Sequence, residues 1–145
     1  MRDISWFCDS DSYCRYALTA PWVNGGWEYA TNGRIAVRQP APGQPDVDDG
    51  KKRPINLDRD IFPPSSCTET WPEPHGFQVK GIEDEPQFGI VAADMDIAGR
   101  LIAGCYVLLI SLLGKVQYDP SGKPEDPLRF SAEGLEGTVM PMARS

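Results

Sequence analysis

Carboxylates are the most numerous reactive groups in this chain, and they fall in runs. Asp46, Asp48 and Asp49 form one run, and Glu83, Asp84 and Glu85 form another. A carboxylate does acid–base or metal work when a pocket desolvates it or pairs it with a second. Both runs sit among turn-forming residues, where charge is solvated, so they point away from catalysis. Asp94 and Asp96 precede an apolar run and read as helix caps rather than metal ligands. The thiols are Cys8, Cys14, Cys67 and Cys105, and His75 is the sole histidine. A zinc site would need Cys8, Cys14, Cys67 and His75 to converge through folding alone, because no Cys-x-x-Cys pair exists. Free or buried thiols in a reducing compartment are the favoured reading. No phosphate-binding loop or nucleophile elbow is present. The expectation is a protein that is not an enzyme and has no catalytic residue, cofactor or metal.

Two other groups of residues bear on binding. Trp22, Trp27 and Tyr29 lie near Arg34 and Arg38, types that stack and neutralise single-stranded nucleic acid. Cross-strand aromatic packing explains the same residues and is favoured. Near the end of the chain stands Val139-Met-Pro-Met142, where two thioethers flank a proline that cannot donate to a sheet. Polarisable, flexible methionines suit either the edge of a core or an adaptable binding surface.

The chain that must position these groups has 145 residues, 41% hydrophobic and 24% charged, with a net charge of −7. This length suits a single domain, 1–145, with a core of its own. The acidic balance disfavours unselective binding to DNA or anionic lipid. The most apolar segment, Ile97 to Leu113, carries Arg100 and falls short of the roughly 20 residues that span a bilayer. No signal-like run follows Arg2-Asp3. The expectation is a cytoplasmic protein without membrane contact.

Asp3 to Asp9 reads as a short helix and Arg15 to Ala20 as a strand. Asn24-Gly25-Gly26 is a hairpin signal leading to Trp27–Thr31, and Asn32-Gly33 is a second, leading to Arg34–Arg38. Prolines crowd between Pro40 and Pro74, so about 39–76 reads as a Pro-rich insertion with one short ordered piece near Ile55 to Phe62. Trp71, His75 and Phe77 would anchor its far end. Phe77–Lys80 and Phe88–Ala92 read as short strands. Ile97, Leu101, Cys105, Leu108 and Leu112 recur at helical steps, with Ile102, Tyr106, Val107, Ile110 and Leu113 on the opposite face. That predicts one long helix, buried on two sides and stopped by Gly114. Lys115–Tyr118, Leu128–Ala132 and Leu135–Met142 read as closing strands. The fold class is α+β, a mostly antiparallel sheet with one long and one short helix.

The segment Ala30-Thr-Asn-Gly-Arg-Ile-Ala36, taken with Val139-Met-Pro-Met142, resembles one domain of the bacterial replicative sliding clamp, the β subunit of DNA polymerase III. Asn32 stands where that family has aspartate, and Ala143 is inserted before Arg144. The resemblance covers residues 1–38 and about 88–145, and small phage-type proteins share the two motifs. It implies a DNA-clamp-like fold and a surface pocket that receives short peptides from polymerases and repair proteins. Thr31, Gly33, Arg34 and Ile35 would line one side of that pocket. Val139, Met140, Pro141, Met142 and Arg144 would line the other.

The implied function is a non-enzymatic, clamp-like accessory protein of DNA replication or repair, working through protein–protein contacts. Encircling DNA needs a basic pore face. Here the matching helix offers only Arg100 and, beyond it, Lys115. Its Ile102, Tyr106 and Ile110 favour packing, so they mark a candidate homo-oligomer face. Two alternatives stand beside this. One is a small acidic adaptor or inhibitor, of the kind a phage uses for host takeover or anti-defence, that binds a host protein. The other is a single-stranded nucleic-acid module built on the aromatic meander.

Overall fold

The structure, a computed structural model, describes residues 3–8, 20–47, 62, 65–75, 78–79 and 90–143. The expected strand Arg15–Ala20 falls almost wholly outside these residues. So do most of the piece near Ile55, the acidic turn Glu83–Glu85, and Cys14, Phe77 and Arg144. The strands are β1 (Trp22–Asn24), β2 (Trp27–Thr31), β3 (Ile35–Pro40), β4 (Glu69–Thr70), β5 (Gln78–Val79), β6 (Ile90–Val91), β7 (Met95–Ile97) and β8 (Arg100–Ile102). Helix α1 (Gly104–Ser111) follows, then β9 (Val116–Tyr118), β10 (Leu128–Ala132) and β11 (Leu135–Val139). This is a mostly antiparallel α+β arrangement. Among the described residues, no helix is long and apolar enough to cross a membrane.

The chain divides into two compact units, Met1–Ser65 with Glu133–Thr138, and Ser66–Ala132 with Val139–Ser145. In the first, the strand order is β1-β2-β3-β11. The Asn24-Gly25-Gly26 signal makes the predicted turn, with Gly25 and Gly26 both at positive φ. That is the type I′ pattern, whose twist matches the flanking strands. Its first strand is Trp22–Asn24, nearer the turn than expected. Alternation along β2 and β3 sorts the side chains by face. Ile35 and Val37 share one face and are fully buried, and a single 3-10 turn, Ser5–Phe7, contacts these two strands. The other face carries Trp22, Tyr29 and Ala36, packed with Phe62 and Trp27. Arg38 lies 4.1 Å from the Trp27 ring and 4.9 Å from the Phe62 ring. Its Nε donates to Glu136 Oε2 at 2.8 Å. The aromatic residues of the meander are thus mainly packing residues, and one of the two arginines beside them is committed to an ion pair.

In the second unit the order is β10-β9-β4. Trp71 ties it together, as the sequence suggested. Its indole Nε1 donates to Val107 O at 3.1 Å, and its ring meets Tyr118 edge-on at 6.0 Å and Phe130 at 5.9 Å. The His75 carbonyl accepts from Ala93 N at 3.0 Å. Strands β5 and β6 pair antiparallel where the two short strands were expected.

The helices differ from expectation. Of the expected helix Asp3–Asp9, the described residues 3–8 form only the Ser5–Phe7 turn; the Asp3 carboxylate accepts from Ser5 N at 3.0 Å at its start, and Cys8 is already extended at its end. One turn cannot repay helix nucleation. The long helix begins late. Its predicted first turns are instead the hairpin β7–β8, with Ile97 paired to Arg100. Ala98 and Gly99 both take positive φ, again the type I′ pattern. The run Met95-Asp-Ile-Ala-Gly-Arg-Leu-Ile102 satisfies a two-residue period as well as a helical one, and the turn decides between them. Asp94 still caps the helix, from outside it: its Oδ1 accepts from Gly104 N at 2.8 Å. Asp96 caps the hairpin turn, accepting from Gly99 N at 3.0 Å. Within α1, Val107 and Ile110 are buried while Cys105 is exposed, as is Leu112 just past its end. The candidate oligomer face is also corrected. Ile102 and Ile110 are 0% exposed in the chain's own core, which leaves only Tyr106 of the three accessible.

Gly104 shows how tightly α1 starts. A Cβ there would collide with the backbone carbonyl of Ala92. Gly104→Ala should therefore destabilise the fold by about 1–3 kcal/mol, the usual cost of overpacking, read as a lower midpoint in urea unfolding.

Candidate functional site

The end of the chain leaves its strand at Val139 because Pro141 has no N–H for a ladder. Val139 is fully buried, but Met140 is 46% exposed and Met142 42% exposed. Met142 N donates to Leu101 O at 2.7 Å, which holds the tail against β8. The Met-Pro-Met segment therefore does not plug a core. It lines an open groove of about 350 Å³ together with Ala143, Leu101, Pro124 and Glu125. The lining residues are apolar apart from Glu125, the kind of surface that accepts aliphatic or aromatic side chains.

Pro124 and Glu125 come from the loop between β9 and β10, and side chains fold that loop back on itself. Asp119 Oδ1 accepts from Ser121 N at 2.9 Å and from the Ser121 hydroxyl at 2.7 Å. Its Oδ2 accepts from Ser66 N at 3.2 Å. Asp126 Oδ2 accepts from Lys123 N at 2.8 Å. Arg100 then reaches into the loop from β8. It is 1% exposed. Nε donates to Asp126 O at 2.9 Å, Nη1 to Ala98 O at 3.2 Å and Nη2 to Ser121 O at 2.6 Å. Arg100 was expected on the long helix, as one of the few basic residues there. It is a strand residue whose charge is spent on carbonyls.

The upstream motif lies in the first unit, at the turn between β2 and β3. Thr31 Oγ1 donates to Ile35 O at 2.8 Å and accepts from Gly33 N at 3.0 Å. Asn32 Oδ1 accepts from Arg34 N at 2.9 Å and Ile35 N at 3.0 Å. Asn32 thus closes the turn with its side chain. Gly33, at φ +92°, and Arg34 are exposed. Thr31, Ile35 and Val139 are buried, so they shape the frame and offer no contact surface. Of the nine expected contact residues, Met140, Pro141 and Met142 line the groove. Sequence reasoning missed Leu101, Pro124, Glu125 and Ala143 as lining, and Arg100 as the residue behind it.

Other reactive groups are quiet. Partial burial pushes the Cys8 thiol up to about 11, which disfavours the nucleophilic thiolate. Among the described residues, no group of three or more His, Cys, Asp or Glu side chains is placed to hold a metal ion. Comparison of the chain with protein-family models, with curated proteins and with solved structures finds no match.

Asp119 carries a pH prediction. Partial desolvation raises its pKa, but the hydroxyl and amide of Ser121 and the amide of Ser66 outweigh that, holding the carboxyl below its ordinary value of 3.8. A depressed folded value means that the loop contact is fully present above the ordinary value and is lost as pH falls through the folded one. An NMR titration should show the Ser66 and Ser121 amides shifting together with a midpoint below 3.8. A midpoint above it would contradict these contacts.

Proposed function

We propose that this chain is a non-enzymatic, clamp-like accessory protein of DNA replication or repair that works by receiving a short peptide from a protein partner. The observation that carries this reading is the exposure of Met140 and Met142 on either side of Pro141, in an apolar groove rather than a core. The favoured occupant is an extended segment with adjacent leucine and phenylalanine anchors. Flexible thioethers adapt to such side chains, and peptide binding of this type rests on a few apolar anchors. Glu125 on the lining adds a preference for a cationic residue beside the anchors, by charge complementarity. The resemblance of the Thr31–Ile35 turn and the Met-Pro-Met tail to the sliding clamp supplies the replication context.

DNA encirclement is the weaker part of that resemblance. Arg100 is withdrawn from any phosphate by burial, and the chain carries a net charge of −7. The proposal is therefore a protein-binding body, with peptide capture as its activity.

The test is fluorescence anisotropy with a labelled peptide of about ten residues, carrying leucine and phenylalanine anchors and one lysine. Met140→Ala and Met142→Ala should each weaken binding on the order of tenfold. Both should leave unfolding stability within about 0.5 kcal/mol, as exposed positions do. Absence of peptide binding by the unaltered chain, or equal binding by both variants, would refute the proposal.

A further inference from the structure

Strand β8 supports the groove with two adjacent residues. Leu101 is part of the lining, and its carbonyl accepts from Met142 N at 2.7 Å. Arg100, next to it, sends its side chain into the loop that carries Pro124 and Glu125. The guanidinium holds that loop at two points, Ser121 O at 2.6 Å and Asp126 O at 2.9 Å, which bracket Pro124 and Glu125. Its third bond returns to Ala98 O at 3.2 Å, in the turn of its own hairpin. Each of these donors meets a backbone carbonyl, and the planar fork fixes their relative directions as a lysine could not. Gly122 completes the fit, since a Cβ there would collide with Arg100 Nη2.

We propose that Arg100 is the positioning residue of the peptide groove: it sets the place of the Pro124–Glu125 wall against Leu101, and so determines affinity without touching the peptide. This rests on the groove reading above. A buried guanidinium bridging a hairpin and a loop is more than a general stabiliser, because its acceptors lie on both sides of the wall. If the wall shifts, Leu101 and the tail no longer face it at the spacing a side chain requires.

The experiment compares two glycine variants. Gly122→Ala places a methyl group where the guanidinium lies. Gly114→Ala has a similar left-handed backbone, φ +99° against +101°, but no atom lies within 4 Å of its added Cβ. Both carry the same intrinsic strain, so their difference reads the guanidinium contact. With the labelled peptide described above, Gly122→Ala should bind on the order of tenfold more weakly than the unaltered chain, and Gly114→Ala equally well. Arg100→Lys should resemble Gly122→Ala. As a peptide-independent readout, the Lys123 and Asp126 amides, which bond within the loop, should lose hydrogen-exchange protection in Gly122→Ala and Arg100→Lys. The amides of β2 should keep theirs. Unchanged affinity in Gly122→Ala, where Met142→Ala loses binding, would overturn the role of Arg100 and leave the groove standing. Unchanged loop protection in both variants would overturn it whatever the peptide does. If the Met140 and Met142 variants bind normally, the groove itself fails, and the positioning role of Arg100 falls with it.

Discussion

The buried guanidinium of Arg100 is the constraint on which the second unit's surface depends. A charged side chain at 1% exposure is tolerated only if its donors are bonded. Here they meet three backbone carbonyls, from the Ala98 turn and from two points of the β9–β10 loop. The same bonds satisfy carbonyls that a proline-dense loop would otherwise leave to solvent. Arginine suits this work because it stays ionised and presents its donors in a rigid plane. The tight hairpin β7–β8 makes the reach available by turning Arg100 away from a helix and onto a strand beside the loop.

From that arrangement the character of the groove follows. Leu101 offers an outward carbonyl that Met142 N takes up, and Pro141 prevents the tail from continuing as a ladder. The thioethers are left exposed because the chain has left its strand, with Val139 as the last residue in the core. The first unit has a different logic. There the Thr31 and Asn32 side chains close a turn, and Arg38 is held between Trp27, Phe62 and Glu136.

Local chemistry was legible in the sequence where it decides the structure alone. Gly25-Gly26 and Asn32-Gly33 mark their turns because few other residues take positive φ at low cost. The Met-Pro-Met tail was legible as an edge feature because proline cannot donate. The hairpin at Ala98-Gly99 was not legible, since alanine rarely takes φ +53° and the surrounding apolar residues also fit a helix. Arg100 read as a helix residue for a related reason. Its acceptors, Ser121 and Asp126, are more than twenty residues away, and no local pattern announces them. Ile35 and Val139 were expected at a contact surface through the resemblance, whereas their strand positions turn them into the core.

The most direct measurement of the central claim is the methyl spectrum of the four methionines during titration with the leucine–phenylalanine peptide. Met140 and Met142 line the groove, and Met95 on β7 does not. The Met140 and Met142 methyl signals should shift saturably together while Met95 stays in place. A titration that moves neither of them, at peptide concentrations where anisotropy reports binding, would place the peptide elsewhere and contradict the account.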